Sequence, residues 1–153
     1  MPVDHPLRRI REYVRAVLAD MHGLFEGIYA KEGRPSVPPE QLLSALLLQV
    51  FYGVRSERQL MEQMDYNLLF RWFVGLSPDD PVWNATTFTK NRERLQQSEV
   101  FGQFMTTLLR HRKVAPLLSD EHFSVDGTLI EAWASQKSFN SLLKNVFAVE
   151  NLQ

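Results

Sequence analysis

Two stretches of the 153-residue chain hold side chains whose type and spacing can do chemistry. The first is Phe123–Ser135, which reads Phe-Ser-Val-Asp-Gly-Thr-Leu-Ile-Glu-Ala-Trp-Ala-Ser. Phe123 and Val125 alternate with Ser124 and Asp126, the period of a strand. Asp126 then faces away from the two apolar side chains, where a carboxylate on rigid backbone can ligate a cation. The same residues also read as a hairpin turn, since Asp126 and Gly127 both tolerate positive φ. Spacing alone favours the turn. Asp120 and His122 are near in sequence, but their spacing to Asp126 matches no dedicated metal motif. The second stretch runs from Asn84 to Leu95. Asn84 or Thr86 caps a helix there, with Phe88 and Leu95 on its buried stripe and Arg92 beside them. Thr87, Lys90, Asn91 and Arg94 project the other way. Cations with amide and hydroxyl donors, and no acid among them, suit contacts to phosphate oxygens and base edges. A plain solvated helix surface has the same composition, and the residues alone leave both readings open.

Both stretches need a frame, and the chain before them reads as helices. Asp4 or His5 begins the first, with Pro6 in its first turn. Ile10, Tyr13, Val14, Val17, Leu18 and Met21 form its apolar stripe. Arg8, Arg9, Arg11 and Arg15 fall mostly off that stripe, as a solubilising face or a phosphate contact. Gly23 and Gly27 loosen the pattern before a short segment around Ile28. Three prolines make Gly33–Pro39 a connector. Pro39–Tyr52 is apolar nearly all round, which predicts a buried central helix stopped by Gly53. Ser56 caps the next helix, with Gln59 as capping-box partner, and Leu60, Met61 and Met64 on its packed side.

Helix, glycine turn and capped helix together fit a helix-turn-helix, whose second helix would present Arg58 to a DNA groove. Glu62, one turn on, is placed to pair with Arg58 instead. Asn67–Val74 is a short helix dense in Leu68, Leu69, Phe70, Trp72 and Phe73, ending at Gly75. Ser77–Pro81 is a loop by composition, with Trp83 at its exit. Ser98 caps a last helix through Leu109. Arg110, His111, Arg112 and Lys113 at its end also offset a helix dipole.

Net charge is −1 and there is no cysteine, which excludes a disulfide framework and a thiolate metal site and fits a reducing, cytoplasmic location. The N-terminal basic residues have no apolar run behind them, unlike a secretory signal. The longest apolar run, Leu42–Tyr52, is interrupted by Ser44 and Gln49 and falls short of the ~20 residues a membrane span needs. Charge is unevenly spread. Residues 85–113 carry Lys90, Arg92, Arg94, Arg110, Arg112 and Lys113 against Glu93 and Glu99, a net +4, while 35–84 and 114–153 are each −3. Such a basic face points to an anionic partner or to a solvated surface. The sequence has no Gly-rich phosphate loop, zinc-protease helix or nucleophile elbow.

Phe123–Phe139 resembles the start of the catalytic domain of bacterial insertion-sequence transposases of the DDE class, insertion-sequence-five group. There a strand of nearly this sequence carries the first of three catalytic acids. The resemblance reaches back through Gly33–Pro39, the leucine-rich run to Tyr52, Ser56–Leu60 and Thr86–Leu95. The order and spacing of these pieces together make it specific. It implies that Asp126 is the first acid and, in a complete site, a ligand for Mg²⁺. The group carries its other two acids in a long catalytic domain. Residues 140–153 do not align to that domain, so the chain reads as a transposase truncated after its first acid, catalytically incomplete and without a cofactor of its own.

The expected architecture is mainly α. Residues 1–115 form a multi-helix, DNA-binding N-terminal bundle with a helix-turn-helix-like element. Residues 116–139 give a short strand or hairpin that would begin a ribonuclease-H-like domain, and 140–153 form an unaligned tail. The expected partner is double-stranded DNA at transposon ends, with Thr87, Lys90, Asn91, Arg94 and Arg58 as the contacting residues and no membrane. The alternative is a helical interaction module that self-associates or pairs with full-length transposase.

Overall fold

The computed structural model describes residues 5–29, 37–97 and 100–111. Among them the chain is helical throughout: α1 Pro6–Asp20, α2 His22–Tyr29, α3 Pro39–Phe51, α4 Glu57–Tyr66, α5 Leu68–Val74, α6 Ala85–Gln97 and α7 Val100–Arg110. No strand occurs among the described residues. The strand expected at Phe123–Ile130, Asp126 with it, the boundaries near 115 and 139 and the tail 140–153 lie outside them.

The centre is α3. Its apolar composition all round predicts burial, and Leu42–Leu48 and Phe51 are all buried. α3 packs against α4, α5 and α6, while α7 closes the bundle against α1 and α6. The one hydroxyl in the run, Ser44, is buried and donates to the Glu40 carbonyl at 2.8 Å, so no polar group is stranded there. Gly53, at φ +60°, turns the chain out of α3 in a conformation that a side chain would strain.

Four of the helix starts, those of α1, α4, α5 and α6, are capped by a side chain. His5 caps α1, its Nδ1 accepting from the Leu7 amide at 3.2 Å, and Pro6 occupies the first turn. Ser56 Oγ accepts from the Gln59 amide at 3.2 Å. Asn67 Oδ1 accepts from the amides of Leu69 and Phe70 at 3.0 and 3.4 Å. Asn84 Oδ1 accepts from the Thr87 amide at 2.7 Å, which decides between Asn84 and Thr86 as the cap of α6. These side chains satisfy amides that the helix itself leaves unpaired. At its other end α5 closes on Gly75, φ +89°, with the amides of Gly75 and Leu76 both donating to Arg71 O at 2.9 Å.

Two details differ from the expectation. Gly23 and Gly27 do not interrupt α2, which runs through both. Phe25 is buried in the common core, and that burial outweighs a helix-propensity cost of about 1 kcal/mol per glycine. Leu68, in an apolar run expected to be mostly core, is 66 % exposed. It sits two residues before Phe70, on the opposite side of a short helix whose buried face is Phe70, Phe73 and Val74.

A buried cation stiffens the α4–α5 junction. Arg71 is only 5 % exposed. Its Nη1 donates to Met64 O at 3.0 Å, its Nε and Nη2 to Ser77 O at 3.2 and 2.6 Å, and Nη2 also to Asp80 O. The charge is met by carbonyl dipoles rather than by a carboxylate, and the 77–80 loop is thereby held to the end of α4.

Candidate nucleic-acid interface

α6 carries the residues best suited to meet an anion. Phe88 and Leu95 are fully buried, and Trp83 stacks on Phe88 with ring centroids 6.2 Å apart. That packing fixes which side of α6 faces out. Lys90 and Arg94 are exposed, as expected, whereas Thr87 is half-buried. Asn91 does not belong to the surface: it is 3 % exposed, and its Nδ2 donates to Thr87 O at 2.8 Å. The reason is that α6 touches α3, α4 and α7 together. A helix held on three sides keeps a narrower exposed strip than the Phe88–Leu95 stripe alone implies. Glu93 shares that strip with Thr86, Lys90, Arg94 and Gln97, so the face is less purely basic than the set of Thr87, Lys90, Asn91 and Arg94 implied.

Arg58 is exposed on α4 and makes no hydrogen bond or ion pair among the described residues, Glu62 included. Glu62 and Asp65 are exposed on the same helix. Exposed α4 therefore carries more acid than base, and exposed α6 more base than acid.

The two helices are locked together beneath these side chains. Glu57, in the first turn of α4, pairs through Oε1 with Arg92 Nη1 of α6. Its Oε2 accepts from the Thr89 hydroxyl, which also lies 2.9 Å from Ala85 O. One hydroxyl has one proton, and the ionised carboxylate is the stronger acceptor. The Glu57 side chain, in the first turn of α4, is 12 % exposed. Arg92 is thus used inside the molecule and is not available to a ligand. The lock sits one residue before Arg58 on α4 and one before Lys90 on α6, so those two cations lie on helices that it joins. Glu57 and Thr89 escape sequence reasoning because they are 32 residues apart, with no pattern linking them.

The arginines of α1 divide in the same way. Arg11 lies over Trp72, its guanidinium carbon 4.2 Å from the ring centroid, with Arg8 at 6.0 Å. Both contacts are cation–π packing within the bundle, while Arg9 and Arg15 remain exposed. Among the described residues no group of three His, Asp or Glu side chains could hold a metal ion, and no helix is long and apolar enough to cross a membrane. Asp126, the metal ligand implied by the resemblance, lies outside the described residues.

Among the described residues, these observations define a helical bundle with a cationic helix edge. Residues 1–94 match the family described as Transposase domain (DUF772). The match spans more than half of the chain, and the chain belongs to that family. No solved structure matches it. The matched region ends at Arg94, inside α6, yet α7 packs on both α1 and α6. The folded unit therefore extends past the matched residues.

Proposed function

We propose that this chain is the DNA-binding part of a DDE-class transposase of the insertion-sequence-five group. It holds transposon ends in double-stranded DNA, with Lys90 and Arg94 on backbone phosphates and Arg58 at the edge of the same surface. The supporting observation is the exposure of Lys90 and Arg94 on a helix that Glu57 ties to α4, in a chain of a transposase-domain family. α3, the Gly53 turn and α4 act in this reading as a helix-turn-helix beside the phosphate-contacting edge. Phosphate contacts set affinity and register and carry no base information themselves. The test is fluorescence anisotropy of a transposon-end duplex across a salt series. Binding that weakens steeply with salt is expected; absent or salt-indifferent binding contradicts the proposal.

Asp126 is the first catalytic acid in this reading, on a strand that opens a ribonuclease-H-like sheet. Two-metal strand transfer uses carboxylates that hold a pair of Mg²⁺ ions, and Asp126 supplies one of the group's three acids. The 153 residues by themselves therefore bind DNA without cutting it. Supercoiled DNA is expected to stay intact with Mg²⁺ or Mn²⁺. Nicking that disappears in Asp126→Ala would show otherwise.

A second reading, an interaction module, is favoured by one observation. Tyr66 and Leu68, two residues apart at the α4–α5 junction, are 82 % and 66 % exposed. In that reading they meet a second copy or a full-length transposase. Replacing both by serine would then abolish concentration-dependent self-association in sedimentation, with helix content unchanged.

A further inference from the structure

A cleft of about 520 Å³ opens between α1, the start of α3 and the end of α5, on residues that the DNA face does not use. One wall is apolar, with Leu18, Ala19, Phe73 and Val74. The other walls carry Arg11, Arg15, His22 and Glu40. Its volume is in the range of small-molecule sites, which pair apolar walls with a few placed polar groups.

The charges in the cleft are not balanced. Glu40 lies 3.4 Å from His22 Nδ1. Arg15 lines the same cleft and yet makes no hydrogen bond or ion pair among the described residues. Arg11 donates through Nε to Phe73 O at 3.4 Å and lies on Trp72, which holds its guanidinium in place, and among the described residues no hydrogen bond is made by its Nη groups. Burial, and after it the positive charge of Arg15, lower the Arg11 pKa from its ordinary value. An anion between the two guanidinium groups would relieve that repulsion. Two arginines one helical turn apart offer forked donors that suit a planar carboxylate.

We infer that this cleft binds a small monocarboxylate with an apolar body, its carboxylate on Arg11 and Arg15 and its hydrocarbon against Leu18, Phe73 and Val74. Two guanidinium groups share the cleft with the one carboxylate of Glu40, and a bound carboxylate offsets the excess of arginine charge. A phosphate dianion would leave the apolar wall unused. The inference does not depend on the DNA-binding proposal, because its residues lie on α1, α3 and α5 and not on the exposed edge of α6.

The test is an NMR titration of the full chain with hexanoate at constant ionic strength, with inorganic phosphate as the second probe. Saturable shifts of the Leu18 and Val74 methyl groups are expected with hexanoate and not with phosphate. Arg15→Gln, an exposed change that leaves the core intact, should weaken hexanoate binding roughly tenfold, the scale of one charge-assisted contact. Ala19→Glu should abolish it by placing a like charge in the cleft, and Arg9→Gln should leave it unchanged. Unsaturable shifts, equal binding of phosphate, or equal affinity in Arg15→Gln would each overturn the inference.

Discussion

α4 and α6 are neighbours with opposite surfaces. They share the Glu57 lock, with Arg92 and Thr89 on one side and the first turn of α4 on the other. Outside the lock, α4 exposes Arg58 beside Glu62 and Asp65, while α6 exposes Lys90 and Arg94 beside Glu93. Local charge, more than helix order, separates them. A helix-turn-helix description assigns DNA contact to α4 because it is second in the pair. Electrostatics assigns it to α6, since acids on a surface repel a phosphate backbone that basic residues attract. In the proposed reading both hold at once, with α4 at a groove and α6 on the backbone, because the lock joins the two helices.

The largest expected effect lies at the far end of α4. Arg71→Ala strands the carbonyls of Met64, Ser77 and Asp80, which receive its guanidinium donors. A loss of about 3 kcal/mol in urea unfolding is expected. A loss under about 1 kcal/mol would mean that water replaces the guanidinium easily, and that the α4–α5 junction is not rigid.

A smaller effect is expected at the lock. Glu57→Ala removes the acceptor for Arg92 and Thr89 and should cost about 1–2 kcal/mol, the scale of a charge-assisted contact that is only partly screened from water. Its effect on DNA sharpens the comparison. Freeing Arg92 adds a cation to the surface, so non-specific binding should tighten, while discrimination between transposon-end and scrambled duplex should fall. A double-mutant cycle with Arg92→Ala should show coupling of about 1 kcal/mol. No coupling would mean that the two helices are held by apolar packing alone.

Much of the bundle was legible in the sequence because its causes are local. Ser56 and Asn84, both read as cap candidates, bond amides three residues ahead, while Asn67, read as the first residue of its helix, is its cap. α3 reads as buried from its own composition. The interface was legible only in part. Lys90 and Arg94 lie outside the Phe88–Leu95 stripe and are exposed, but Asn91 is covered because α6 has three helical neighbours. Periodicity reports one buried stripe and not how many partners a helix has. Nothing in the local pattern marked Glu57 or Arg71, whose partners lie on other segments of the chain. Each is set by contacts to other elements, as α2 is despite its glycines.

The central claim is that the α6 edge, not the α4 surface, supplies the phosphate contacts. The most direct measurement is the salt dependence of transposon-end binding for three proteins: the unaltered chain, Lys90→Ala with Arg94→Ala, and Arg58→Ala. If each α6 cation neutralises one phosphate, the double variant should lower the log–log slope by about 2 units. Its stability should be nearly unchanged, since both side chains are exposed and off the buried stripe. Arg58→Ala should change the slope by less than about 1 unit. An unchanged slope in the double variant, together with a full unit lost in Arg58→Ala, would move the contact to α4 and contradict the account.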